Sequence, residues 1–262
     1  MSLTAFIGCG NMGSALARAA AGRIPGSGIL LCNRSPEKAR KLADELGAAV
    51  VDAATAARQA DVIFLGVKPQ QLDALLREIA EPLRERTVPP LIVSMMAGKP
   101  LVQLQSLFGE ASVIRIMPNI PASVGAGVTL MCAGQNVTEA EKETVRTLLE
   151  PAGAVAELDE HLFHAASAVT GCGPAFIAMF AEALADGAVT CGLPRAEALR
   201  LTEMTLRGTA EYLLTTEEHP GILKDKVCSP AGSTIEGVRK LEERGFRSAV
   251  SEAAIATFEK VF

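Results

Sequence analysis

Three segments of this chain carry residue types whose spacing could do chemistry. Near the start, Ile7-Gly8-Cys9-Gly10-Asn11-Met12-Gly13 has the G-x-G-x-x-G spacing. Glycines so placed let backbone approach a pyrophosphate, and the free N–H groups of a helix opening there face the anion. Asn33-Arg34-Ser35 comes next, where a dinucleotide site for NAD would place a carboxylate on the ribose 2′-hydroxyl. No carboxylate stands there. Arg34 can pair with a 2′-phosphate and Ser35 can donate to it, so the residues point to NADPH, with NADH as the weaker alternative. Far downstream, Val227-Cys228-Ser229-Pro230-Ala231-Gly232-Ser233-Thr234-Ile235-Glu236 is rich in small residues and opens a helix. The N–H groups and hydroxyls of Ser233 and Thr234 would form a carboxylate cradle with an adjacent hydroxyl donor. Ser233-x-x-Glu236 equally fits an ordinary capping box, and the residues alone leave both readings open.

The elements that must hold these segments alternate through the first half. Strands are expected at Thr4–Ile7, 28–32, 48–51, 61–67, 91–94 and 113–117, and helices at 11–21, 36–46 and 69–80. Pro36 in a first turn and Gly47 at an end mark the second helix. Strands apolar on both faces and separated by helices predict a doubly wound parallel sheet of Rossmann type. Residues 124–131 and 154–156 are read as edge strands around a helix at 138–149. Ligands of such sheets lie beyond the carboxyl ends of the strands. That places Val67-Lys68-Pro69 and Ala97 near the ribose or nicotinamide. Asn119 is either a contact to cofactor or substrate or a turn residue.

After residue 158 the strand signals stop, and Ala/Leu-rich helical patterns cover roughly 160–191, 195–216, 232–244 and 247–261. The expected division is a dinucleotide-binding domain at 1–158 and an all-helical domain at 159–262. The helices are too apolar to be solvated alone, which predicts a homodimer.

The 262 residues are 49% apolar but only 4% aromatic, so the core must be aliphatic. A net charge of -5 without a basic run argues against nucleic acid. No uninterrupted apolar run reaches the length of a membrane span, and the N-terminus does not resemble a signal peptide, so a cytoplasmic location is expected. The six cysteines form no C-x-x-C pair and are read as reduced thiols; His161 and His164 lack further ligands, so no metal is expected.

Taken together, the glycine turn, Val67-Lys68-Pro69, Arg115-Ile116-Met117-Pro118-Asn119-Ile120-Pro121, Thr170-Gly171-Cys172-Gly173-Pro174-Ala175-Phe176 and the segment around Thr234 resemble, in order, the blocks of the pyrroline-5-carboxylate reductases. The resemblance spans the chain. It departs at Ala231, where the family often has a second glycine, at Thr170 to Phe176, where Ser and Tyr hydroxyls are missing, and at Lys226, where many relatives have Asn. It implies NAD(P)H-dependent reduction of L-1-pyrroline-5-carboxylate to L-proline, the last step of proline synthesis. It also implies that Thr234 bonds the ring nitrogen, that the N–H groups of Ser233 and Thr234, with Gly232 beside them, hold the carboxylate, and that Glu217 stands near substrate. Family members are dimers, some assembled further into decamers.

Two rivals are weighed. Hydroxyacid dehydrogenases of the hydroxyisobutyrate type share the glycine turn but need a lysine in the first long helix of the second domain. No lysine lies between Lys142 and Lys224. A non-catalytic NADPH sensor would have no use for the Thr234 segment. No His, Asp or Lys in that segment is an evident general acid, so the imine is expected to bind protonated or to draw its proton through water.

Overall fold

Short, fully apolar runs form the centre of an eight-stranded sheet. The computed structural model describes residues 2–260. Strands β1 (Thr4–Ile7), β2 (Ile29–Cys32), β3 (Ala49–Val50), β4 (Val62–Leu65), β5 (Leu91–Ser94), β6 (Val113–Pro118), β7 (Gly127–Ala133) and β8 (Gly153–Glu157) lie in the order β3-β2-β1-β4-β5-β6-β7-β8. From β3 to β6 all pairs are parallel; β7 runs antiparallel to β6 and β8 parallel to β7. β1, β4 and β5 are buried along their whole length, as parallel strands covered on both faces must be. Only β8 is an edge of the pair expected there. β7 lies inside the sheet because β8 closes on it.

Helices α1 (Asn11–Ala21), α2 (Pro36–Leu46), α3 (Ala53–Gln59), α4 (Leu72–Arg84), α5 (Leu101–Phe108) and α6 (Glu139–Leu149) cover the sheet. One apolar cluster joins Leu16, Leu42 and Leu148 to one face, and a second joins Ala56, Leu75 and Leu104 to the other. α4 begins later than expected because Pro69–Gln71 forms a 3-10 turn first, and it runs through Pro82. The sequence reading had no counterpart for α3 or α5. α3 is announced by Asp52, whose carboxylate accepts from the Thr55 N–H at 2.6 Å. Thr138 and Glu141 form the capping box of α6.

The remaining helices are α7 (Phe163–Thr170), α8 (Gly173–Thr190), α9 (Arg195–Thr216), α10 (Pro220–Val227), α11 (Ser233–Glu243) and α12 (Phe246–Lys260). The chain divides into compact units at 1–171 and 172–262, later than the boundary expected at 158. The reason is α7, whose Phe163 is buried in the sheet core and lies under the Arg115 guanidinium, 4.9 Å from the ring centre. Residues 223–227, read as loop, are the end of α10. Of the expected last helix at 247–261 and the domain limits at 1 and 262, Met1, Val261 and Phe262 lie outside the described residues.

The helical unit has almost no interior of its own. Among its described residues only Ala185, Ala198 and Thr202 are buried, while Leu214 is 81% and Met179 69% exposed. The expectation that no segment has the apolar character of a membrane span is corrected. Glu160–Thr190 is long and apolar enough, with a mean hydropathy of 1.5 over its best window. Thr and Ser punctuate that stretch, so counting uninterrupted apolar residues missed it.

Candidate active site

The register of the sheet builds one end of the site. Ile7 lies opposite both Cys32 and Leu65, and Leu65 lies opposite Ser94, so β1, β2, β4 and β5 finish in one row. The strand order reverses at β1, which has β2 on one side and β4 on the other. Loops diverge from such a point and leave a crevice for a ligand. The residues that follow the row, Gly8, Asn33, Val67-Lys68-Pro69 and Ala97, are those the sequence marked.

Two of the three glycines in the turn are needed for packing, and the third faces open space. Gly8 has φ +104°, and a β-carbon there would lie 2.6 Å from the Gly66 carbonyl carbon. Its N–H donates to the Cys32 carbonyl at 2.8 Å. A β-carbon on Gly13 would lie 2.1 Å from the Gly8 carbonyl oxygen. At Gly10 a β-carbon would meet nothing within 4 Å. Gly10 caps α1 without any side-chain bond to the first N–H groups. That open approach, above unengaged N–H donors at the positive end of α1, fits a pyrophosphate. A cleft of about 560 Å³ runs past this turn, lined by Gly10, Asn11 and Met12 and by Lys38 and Lys41 of α2.

The neighbouring residues differ in how committed they are. Asn33 donates from Nδ2 to the Ser35 carbonyl at 3.0 Å and shapes the turn into α2. Arg34 is exposed and enters no ion pair or side-chain hydrogen bond among the described residues. Lys68 is exposed; its backbone N–H is held by the Gln71 carboxamide at 3.2 Å. Ala97 is exposed in the turn after β5. Asn119 is different. It is 8% exposed, donates to the Thr170 carbonyl at 2.9 Å and accepts from the Val128 N–H at 2.8 Å. Both ends of its carboxamide are engaged within the protein, which is the structural side of the alternative the sequence left open. Burial dominates at Cys9 and Cys32, pushing each thiol up to about 11.

The sequence quoted Arg115 in a motif but gave it no role. Its side chain is buried on β6, paired with Glu160 at 2.7 Å, and its Nε lacks a partner. The same Glu160 oxygen accepts from the Leu101 N–H at 2.6 Å. This group ties α5 and the start of the α7 segment to the sheet, so Arg115 is a positioning residue. A buried arginine inside an apolar strand was the signal available.

In the helical unit, Gly232 rather than Ser233 caps α11, and no side chain bonds its first N–H groups. The capping-box reading is thereby corrected. Glu236 turns to Arg239 instead, at 3.0 Å. Ser233 and Thr234 occupy the first two helical positions, exposed, and their hydroxyls make no hydrogen bond among the described residues. Gly232 has no room for a side chain: a β-carbon would lie 2.4 Å from Ser229 Oγ. Ala231 holds φ +57°, a left-handed conformation. Glu217 also adopts φ +53°, ending α9, and its exposed carboxylate is not bonded to the Thr234 segment. Its neighbour Glu218 pairs with Lys226 and accepts from Tyr212 Oη at 3.4 Å. The hydrogen bond to Glu218 holds the Lys226 ammonium above the ordinary lysine range. Lys226 is thus already engaged where relatives have Asn.

A switch-point crevice with an open glycine turn and a separate helix N-terminus bearing free hydroxyls define a nicotinamide-dinucleotide oxidoreductase. Residues 160–261 match the family described as pyrroline-5-carboxylate reductase dimerisation, and residues 4–98 match that described as NADP oxidoreductase, coenzyme F420-dependent. The pyrroline-5-carboxylate reductase of Escherichia coli (strain K12) is 41% identical over 259 residues, covering 97% of this chain and 95% of that protein. A pyrroline-5-carboxylate reductase structure from Coxiella burnetii superposes with a TM-score of 0.91 at 30% identity, covering 99% of this chain and 97% of the other. The Plasmodium falciparum pyrroline carboxylate reductase, solved with NADP bound, gives 0.85 at 29% identity, with coverage of 99% and 97%. The chain belongs to the pyrroline-5-carboxylate reductase family. The activity of that family is NAD(P)H-dependent reduction of pyrroline-5-carboxylate to proline.

Proposed function

We propose that this chain is an NADPH-preferring reductase of L-1-pyrroline-5-carboxylate in which Thr234 and the N-terminus of α11 hold the substrate. The observation that carries this is the set of unengaged donors at Ser233 and Thr234, at a helix opened by glycine. The N–H groups of Ser233 and Thr234 hold the substrate carboxylate, as a helix N-terminus holds any small anion. The Thr234 hydroxyl bonds the ring nitrogen and fixes the face of the imine. The bound dinucleotide supplies the hydride that the imine carbon accepts. The chain supplies position, because near-attack alignment alone is worth orders of magnitude in rate. Protonation of the imine comes with the substrate or through water. Glu217 is a substrate neighbour only if its carboxylate turns toward that segment.

The pyrophosphate rests on Gly8–Gly13. Arg34, which has no partner of its own, and Ser35 receive the 2′-phosphate and favour NADPH over NADH. Ile7, Val67-Lys68-Pro69 and Ala97 border the rest of the cofactor. The exposed apolar faces of the helical unit are covered by a second copy of the chain, with a decamer of dimers as the higher assembly, rather than by a membrane. The enzyme works in the cytoplasm.

The assay is NADPH oxidation at 340 nm on adding pyrroline-5-carboxylate, with proline measured as product. Turnover with stoichiometric proline is expected. Bound NADPH without turnover would overturn the reading in favour of a sensor.

A further inference from the structure

Lys38 stands where helix electrostatics disfavour a cation. It is the third residue of α2, and its N–H closes the first turn on the Ser35 carbonyl at 3.3 Å. The first turn of a helix exposes N–H groups and the positive end of the dipole, a setting that favours carboxylates. A lysine there is stabilised when an anion binds beside it. A local rule broken without compensation inside the protein marks a functional position.

The cleft makes the anion specific. Three cations line it: Arg18, Lys38 and Lys41. Glu45 already holds Arg18 through two bonds of 2.7 and 2.8 Å. Lys41 sits one turn deeper in α2, four residues before that same Glu45, so a carboxylate of the protein lies within its reach. Lys38 is nearest the N-terminal end, lines the cleft with Gly10 and Asn11, and enters no ion pair among the described residues. The turn it closes also carries Arg34 and Ser35.

We propose that Lys38 is a second cationic partner of the 2′-phosphate, acting with Arg34, and so a determinant of NADPH over NADH. The inference rests on the NADPH reading above. A 2′-phosphate carries more than one negative charge near neutral pH, and two cations on one short turn would balance it. NADH has only a hydroxyl there and loses nothing when Lys38 is removed.

The test is equilibrium binding of NADPH and of NADH to the full chain, for the wild type and for Lys38→Met, Lys41→Met and Arg34→Met. Wild type should prefer NADPH. Lys38→Met should weaken NADPH by about tenfold or more, the scale of a lost charge-assisted bond, and leave NADH within about twofold. Lys38→Arg should restore most of the NADPH affinity, and Lys41→Met should change neither cofactor. Equal losses for NADPH and NADH, or a Lys38→Met effect no larger than that of Lys41→Met, would overturn the role of Lys38 alone. A wild type that binds NADH as tightly as NADPH would overturn the underlying reading. Melting temperatures without ligand separate misfolding from lost binding, and Lys38→Met should not lower them.

Discussion

The α-carbon of Gly13 faces the Gly8 carbonyl so closely that a β-carbon would lie 2.1 Å from the oxygen, while two turn positions earlier, at Gly10, a β-carbon would meet nothing within 4 Å. One sequence fingerprint therefore holds two kinds of glycine, one placed for the fold and one for the ligand. Gly13→Ala should destabilise the sheet unit by about 1–3 kcal/mol, because helix and turn must move apart. Gly10→Ala, at an ordinary φ of -77°, should leave stability nearly unchanged and still weaken NADPH binding by tenfold or more. Thermal unfolding and cofactor titration of the two variants separate the effects. Equal stability losses would contradict the division of roles.

Ala231 occupies a conformation that suits the glycine often found there in the family. Its φ of +57° places its β-carbon against backbone, at a cost of about 1–2 kcal/mol. Ala231→Gly should relieve that strain and stabilise the protein by roughly 1 kcal/mol, after the greater entropy of glycine in the unfolded chain is subtracted. Denaturant unfolding at one fixed protein concentration measures it. A variant less stable than wild type would show that the backbone there is not strained.

Burial makes the cysteines beside the glycine turn poor nucleophiles. With both thiols raised to about 11, Cys9 and Cys32 should be about one part in a thousand thiolate at pH 8. Alkylation by iodoacetamide, followed residue by residue in a mass spectrometer, should leave both unmodified at pH 8. Their rates should climb toward pH 11 as the thiolate fraction rises. Rapid modification of Cys9 at pH 8 would contradict its burial.

Much of this was readable from the residues, because it depended on short-range patterns. The apolar runs at β1, β4 and β5 have no polar face, so they could only be central parallel strands. The glycine turn follows the first of them directly. What escaped depends on short elements or distant partners. α3 and α5 are seven and eight residues long, too short for periodicity to declare itself. Arg115 finds Glu160 45 positions away, and Asn119 finds Thr170 51 positions away, so neither role has a local signature. The choice between a capping box and a free N-terminus at Ser233 turned on one residue of register: with Gly232 as the cap, Ser233 falls inside the helix and its hydroxyl is released.

The central claim is that the Thr234 hydroxyl orients the imine and takes no part in holding the cofactor. The direct test is kcat/KM for pyrroline-5-carboxylate with Thr234→Ala and Thr234→Ser, together with the NADPH dissociation constant of each. Thr234→Ala should lower kcat/KM at least about tenfold, on the scale of one lost hydrogen bond in the transition state. Thr234→Ser, which keeps the hydroxyl, should recover most of it, and NADPH affinity should stay within about twofold throughout. An Ala variant as fast as wild type would remove Thr234 from the mechanism.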